Sequence, residues 1–105
     1  MLIIFNDPEL ADLYEGTGGT KEYRPGSPLV KQFIKTVKKL EAVEKVEQLY
    51  QFNSLHYEKL KGDFKNYSSV RINLQYRLIF EEIHDDHEPF SVKVFAIDEI
   101  SKHYE

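Results

Sequence analysis

Between Leu55 and Phe80 the chain reads LHYEKLKGDFKNYSSVRINLQYRLIF, and apolar and polar residues alternate through most of it. Alternation with a period of two predicts strands with one dry face and one wet face. Turn residues divide the stretch into three runs. In the first, Lys59 and Lys61 point one way while Leu60, between them, points the other. In the second, Tyr67, Ser69, Arg71 and Asn73 line one face, and Ser68, Val70 and Ile72 the opposite one. In the third, Tyr76, Leu78 and Phe80 form an apolar row, with Arg77 and Ile79 turned away from it. A three-residue loop at Asn73-Leu74-Gln75 pairs Ile72 with Tyr76, Arg71 with Arg77 and Val70 with Leu78. A two-residue loop would set Val70 across from Arg77 and mix the faces, because a one-residue slip inverts a strand. The odd-numbered loop is therefore expected, giving a second face that carries Lys59, Lys61, Arg71 and Arg77.

The remaining pattern surrounds this sheet with helices. Met1 to Phe5 reads as a short strand. Asp7 before Pro8 predicts an N-cap followed by proline at the first helical position, with the helix running to about Tyr14. Gly16 to Gly26 is a loop by composition. Gly19-Thr20-Lys21 has the letters of a phosphate-binding loop. It follows a helix and leads into Glu22-Tyr23-Arg24-Pro25, so the nucleotide reading carries little weight. A second helix begins at Ser27 and Pro28, with Leu29, Val30, Phe33, Ile34, Val37 and Leu40 as its buried stripe. Val43, Val46 and Leu49 continue the pattern as a bent extension or a short third helix, and the sheet region starts at Asn53-Ser54. Phe90 to Ile97 is the last strand, with Val92, Val94 and Ala96 on one face and Phe95 and Ile97 on the other. Two apolar faces place it centrally in the sheet. The fold class is α+β: two or three N-terminal helices packed on a small, mainly antiparallel, twisted sheet.

Composition narrows what such a domain does. The 105 residues make one domain, 1–105, large enough for a modest core without metals or disulfides. There is no cysteine, which excludes disulfides, thiol nucleophiles and zinc–thiolate sites. The longest apolar runs, Leu2 to Phe5 and Val94 to Ile97, are too short to span a bilayer. No leader pattern precedes them, so a cytoplasmic protein with no membrane partner is expected. The net charge of −4 is unevenly spread. Residues 1–20 carry four acids and no base, and residues 81–105 carry eight acids against two bases. The middle is basic: residues 21–54 have seven bases against four acids, and residues 55–80 five against two. A local basic face binds phosphates whatever the total charge. The acidic total suits a protein that needs another surface to hold its substrate. Lys31, Lys35, Lys38 and Lys39 decorate the second helix, where contact with RNA or an acidic partner segment competes with the preferred reading of a solvated face. His84 and His87 stand among carboxylates at a hairpin tip. A solvated turn is favoured there over a metal site, and no cofactor is expected.

Three linked motifs carry a family resemblance. Lys59-Leu60-Lys61-Gly62-Asp63, then Val70-Arg71-Ile72-Asn73, then Gln75-Tyr76-Arg77-Leu78-Ile79-Phe80 resemble the HigB branch of the RelE/ParE toxin superfamily, the plasmid-maintenance killer type. The resemblance implies helices packed on a small antiparallel sheet and a type II toxin. Such a toxin is a ribosome-dependent endoribonuclease that cuts messenger RNA and inhibits translation. It also implies a cognate HigA-like helix-turn-helix antitoxin in a toxin–antitoxin hetero-oligomer. Many such chains end with an aspartate-tyrosine-histidine triplet, whereas this one has Lys102-His103-Tyr104. ParE-like members of the superfamily inhibit DNA gyrase by binding it, and a catalytically impaired antitoxin-binding module is a third reading.

Metal-independent RNA cleavage makes the 2′-hydroxyl the nucleophile. The site must remove its proton, stabilise a dianionic phosphorane and protonate the leaving 5′-oxygen. Arginine suits the middle task because it stays charged and presents a planar fork to phosphate oxygens. The resemblance assigns Arg71 to transition-state stabilisation, Arg77 to phosphate positioning or bracing of the site, and His103 or Tyr104 to proton transfer. Lys59 and Lys61 are candidates for substrate-backbone contact. His56 is a further proton-transfer candidate, weighed against an ordinary strand-start histidine. For Arg71 and Arg77 the plainer reading is an ion pair with Glu81 or Asp63, but two arginines on one face repel unless an anion lies between them.

Overall fold

The computed structural model describes residues 1–19, 23–62, 66–88 and 91–102. Strand β1 (Leu2–Phe5) leads into helix α1 (Pro8–Glu15) and helix α2 (Pro28–Ala42). Two 3₁₀ helices follow, Val46–Gln51 and Asn53–Leu55, and then strands β2 (Glu58–Lys59), β3 (Tyr67–Arg71), β4 (Tyr76–His84) and β5 (Val92–Lys102). The five strands form one sheet in the order β1-β5-β4-β3-β2. Among the described residues the β1–β5 pairing is parallel and the pairings β2–β3, β3–β4 and β4–β5 are antiparallel. The helices cover one face of the sheet, and β5 is central, between β1 and β4.

Local chemistry accounts for the helix ends. Asp7 accepts a hydrogen bond from the Glu9 N–H at 2.9 Å, and Pro8 opens α1. Gly16 closes it in the left-handed region at φ 82, donating to the Asp12 and Leu13 carbonyls. The Ser27 hydroxyl accepts from the Val30 N–H at 3.3 Å to start α2. Phe33, Val37 and Leu40, at helical spacing, are fully buried against Val70, Leu78, Phe80, Phe95 and Ile97 of the sheet.

The break after α2, which no glycine or proline announces, comes from Gln48. Its side-chain oxygen accepts from the N–H groups of Glu44 at 2.6 Å and Lys45 at 3.1 Å. That caps the 3₁₀ segment carrying Val46 and Leu49, so the extension is a separate short helix. Asn53 and Ser54 belong to the second 3₁₀ turn, and the sheet begins later than expected, at Glu58.

The β3–β4 hairpin has the expected register, with Arg71 opposite Arg77 and Val70 opposite Leu78. The Asn73 side-chain oxygen holds its loop by accepting from the N–H groups of Gln75 and Tyr76 at 2.8 and 2.9 Å. Strand β5 is longer than expected, continuing past Ile97 and Glu99 to Lys102. Ile79 lies opposite Glu99 while Phe80 lies opposite Ile97, so Asp98 is an extra residue at a β-bulge. The bulge lets Ile97 and Ile100, three apart, both face the core, and both are buried. Phe90, expected to start this strand, lies outside the described residues.

Strand β2 has the opposite phase to the expected one. Glu58 pairs with Ser69 and Lys59 with Ser68. Lys59 therefore shares the helix-covered side with Ser68 and Phe80, and Glu58 shares the open side with Ser69 and the arginines. Tyr57 decides this: its ring is buried and stacks 6.3 Å from that of Phe80. A buried aromatic ring removes more apolar area from water than Leu60, which is only partly buried here. Once Tyr57 points inward, Lys59, two residues on, must follow.

Candidate functional site: the open face of the sheet

The open face is electrically divided. At the hairpin end, Arg71 and Arg77 lie directly across from one another, and Ser101 of β5 lies across from Arg77 on its other side. Farther along, Tyr67 pairs with Glu81, and the negative charges of Asp98 and Glu81 push the Tyr67 phenol above its ordinary range. The two arginines thus lie at one end, and Tyr67 with the carboxylates of Glu81 and Asp98 at the other.

Arg77 is anchored. Its Nη1 donates to Glu58 Oε2 and to Ser69 Oγ, each at 3.0 Å. The arginine side chain is 17 % exposed and the glutamate 60 %. In such a half-wet pair the carboxylate keeps one side open to solvent or substrate, and screening keeps its stability contribution small. Arg71 takes part in no ion pair among the described residues. The Nε groups of both arginines are shielded from water and have no acceptor there. Like charges directly opposed on neighbouring strands repel, and unpaired buried donors are costly. An anion lying across the accessible ends of the two guanidinium groups relieves the repulsion between them.

Sequence patterning alone does not single out Glu58. The signal is present all the same, since an inward Tyr57 turns Glu58 toward the arginines. Lys59, expected on the arginine face, lies on the other side of the sheet instead, with its Nζ 4.0 Å from Glu82 Oε1. Glu82, only 3 % exposed, accepts hydrogen bonds from the Tyr57 and Ser68 hydroxyls. Burial first, and the Glu82 hydrogen bond second, push the Tyr57 phenol far above its ordinary range. This buried carboxylate and its donors clamp the two-residue strand β2 onto β3 and β4.

Lys61 is exposed just beyond β2. His56 is exposed and left-handed (φ 45), closing the second 3₁₀ turn. It borders a hollow of about 370 Å³ lined with Leu49, Tyr50, Phe52, Asn53 and Tyr57, away from the strand ladder. His103 and Tyr104 lie outside the described residues. His87 donates its backbone N–H to Asp85 Oδ1 at 2.8 Å, a tight turn at the tip after β4. Among the described residues no three His, Asp or Glu side chains gather at metal-binding range. No helix among them is long and apolar enough to cross a membrane.

Solved structures give the fold a class. A YoeB/ParE toxin from Agrobacterium tumefaciens superposes with a TM-score of 0.60 at 16 % identity, over 99 % of this chain and 100 % of that one. The YoeB dimer from Staphylococcus aureus gives 0.53 at 22 %, covering 99 % and 98 %. A heterotetrameric YoeB-YefM toxin-antitoxin complex from the same organism gives 0.51 at 23 %, covering 99 % of each chain. No curated protein matches. The chain belongs to the HigB-like toxins: the family model, described as a RelE-like toxin of a type II toxin-antitoxin system, matches residues 4–90. That match includes Glu58, Arg71 and Arg77 and ends before Ser101.

Proposed function

We propose that this toxin is a metal-independent, ribosome-dependent messenger RNA endoribonuclease that blocks translation. The observation that carries the reading is the Arg71–Arg77 pair directly opposed on an open sheet face, with a carboxylate held beside it. In this reading Arg71 stabilises the phosphorane. Preorganised cations aimed at developing charge are usually the largest contribution to such catalysis. Arg77 positions the phosphate and holds Glu58, which takes the 2′-hydroxyl proton. His103 or Tyr104 protonates the leaving 5′-oxygen, and Lys61 contacts the RNA backbone. Lys59 braces β2 through Glu82 in place of touching substrate, and His56 stands apart from the proton transfers. The chain acts as one domain in the cytoplasm, with no bound cofactor. A HigA-like helix-turn-helix antitoxin silences it in a hetero-oligomer, a pairing supported by the toxin–antitoxin nature of the family.

Primer extension on translating ribosomes tests this directly. New 5′ ends inside coding regions are expected with ribosomes present and not on naked RNA. Equal cutting of naked RNA removes the ribosome requirement. Inhibited DNA supercoiling with intact messenger RNA assigns the protein to the gyrase-binding class instead.

A further inference from the structure

A second concentration of positive charge lies off the open face. Gln32, Lys35, Thr36 and Lys39 of α2, Ser54 and Leu55 of the second 3₁₀ turn, and Arg71 and Ile72 of the hairpin line a cleft of about 220 Å³. Three of these residues are cationic and none is acidic. Lys35 and Lys39 are four apart on one helix, where like charges repel, and neither they nor Arg71 form an ion pair among the described residues. Of the neutral lining residues, the buried Thr36 donates its hydroxyl to the Gln32 carbonyl at 2.8 Å and the Gln32 side chain accepts from the Asn73 amide at 2.9 Å, so the cleft's character is set by its three cations. Arg71 thus borders this cleft and also belongs to the opposed arginine pair.

The other side of the same 3₁₀ turn borders the hollow lined with Tyr50, Phe52, Asn53, His56 and Tyr57. Tyr50 is 63 % exposed, and its ring meets Tyr57 edge-on at 5.0 Å. Phe52 is also exposed. One turn of 3₁₀ helix rises only about 2 Å per residue. The basic cleft and the aromatic hollow are therefore near neighbours, with Ser54 and Leu55 in one wall and Asn53 and His56 in the other.

We propose that these two depressions form a nucleotide subsite beside the arginine pair: Lys35, Lys39 and Arg71 hold an RNA backbone phosphate, and Tyr50 and Phe52 stack the adjoining unpaired base. The inference rests on the RNA-cleavage reading and deepens it by giving the strand a path off the sheet. Charge without neighbouring carboxylates recruits phosphate, and exposed rings beside it accept any base face, the combination that single-strand binders use. An acidic peptide satisfies the lysines but leaves the rings unused, which is why RNA is the favoured occupant.

Fluorescence anisotropy on the whole protein tests the subsite, using a labelled 2′-O-methyl oligouridylate that resists cleavage and labelled inorganic polyphosphate as a polyanion without bases. Each is titrated across a series of KCl concentrations. The Lys35→Gln/Lys39→Gln variant is expected to weaken both ligands and to flatten the log–log salt slope by about 0.7 for each phosphate no longer neutralised. Tyr50→Ala/Phe52→Ala is expected to weaken the oligouridylate by a factor of about 5 to 150 per unstacked base, leaving polyphosphate unchanged. Phe52→Leu, which removes the ring while keeping apolar bulk, should show the same ligand discrimination if the double variant folds poorly. An unchanged slope in the lysine variant, equal weakening of both ligands in the aromatic variants, or no oligouridylate binding by the wild type at low salt overturns the proposal. Ribosomal cleavage is scored separately. Normal cleavage with an unchanged slope removes the subsite alone, whereas a flattened slope without any cleavage removes the nuclease reading alone.

Discussion

Replacing Tyr57 with phenylalanine removes one oxygen from a clamp that determines which side chain of β2 meets the arginines. The ring still fills its place against Phe80, so no cavity opens, and the loss falls on Glu82. That carboxylate is buried and accepts from Tyr57 and Ser68, with Lys59 at the rim 4.0 Å away. A hydrogen bond to a charged acceptor is worth about 1.5–3 kcal/mol, and an acceptor left short of a partner loses on that order. For a chain of this size each kcal/mol lowers the melting temperature by about 4–5 °C, so Tyr57→Phe is expected to melt roughly 6–15 °C lower. A pH signature identifies the cause. The folded phenol is held above its ordinary 10.0 by burial and by Glu82. As the pH rises past about 10, the unfolded chain ionises Tyr57 while the folded protein keeps the proton. Stability contributed by this group is complete below pH 10 and declines above it. Circular-dichroism melts between pH 7 and 11 should therefore show the gap between wild type and Tyr57→Phe narrowing at the alkaline end. A variant that melts with the wild type at pH 7, or a gap that is flat to pH 11, refutes the clamp.

The remaining predictions concern the open face. Arg71→Lys is expected to lose most toxicity in a growth assay, because a point charge does not replace the bidentate fork. Glu58→Gln keeps an acceptor for Arg77 but not a base, and should slow single-turnover cleavage by roughly 10²–10⁴-fold with an unchanged melting temperature. His103→Ala is expected to damage cleavage more than Tyr104→Phe, since imidazole exchanges protons near neutral pH. Wild-type rates from His103→Ala, together with a loss of about 10²-fold in Tyr104→Phe, would transfer the acid role to the tyrosine.

The sequence announces those parts of the fold in which alternation meets a strong boundary. Asp7-Pro8 and Ser27-Pro28 mark both helix starts, and the parity argument at Asn73-Leu74-Gln75 places Arg71 opposite Arg77. Where two apolar residues compete for the same face, parity alone does not decide. In β2 the choice lies between Tyr57 and Leu60. The aromatic ring prevails, moving Lys59 off the arginine face and Glu58 onto it. At the end of β5 the odd spacing of Ile97 and Ile100 requires a bulge at Asp98, and strict alternation without it stops the strand too early. The 3₁₀ start at Lys45 depends on a side chain reaching back three and four residues, which propensity does not register. The pairing of clefts around Asn53–His56 is illegible in sequence because its walls come from α2, two 3₁₀ turns and the hairpin together.

The central claim is that the open arginine face cuts RNA, and single-turnover cleavage of messenger RNA on programmed ribosomes by wild-type protein and Arg71→Ala measures it most directly. Arg71 is only partly buried, on the open side of the sheet, so its truncation should leave the melting temperature near the wild-type value. Loss of one transition-state donor is expected to slow cleavage by about 10²–10³-fold. Cleavage at the wild-type rate by a folded Arg71→Ala protein would contradict the account.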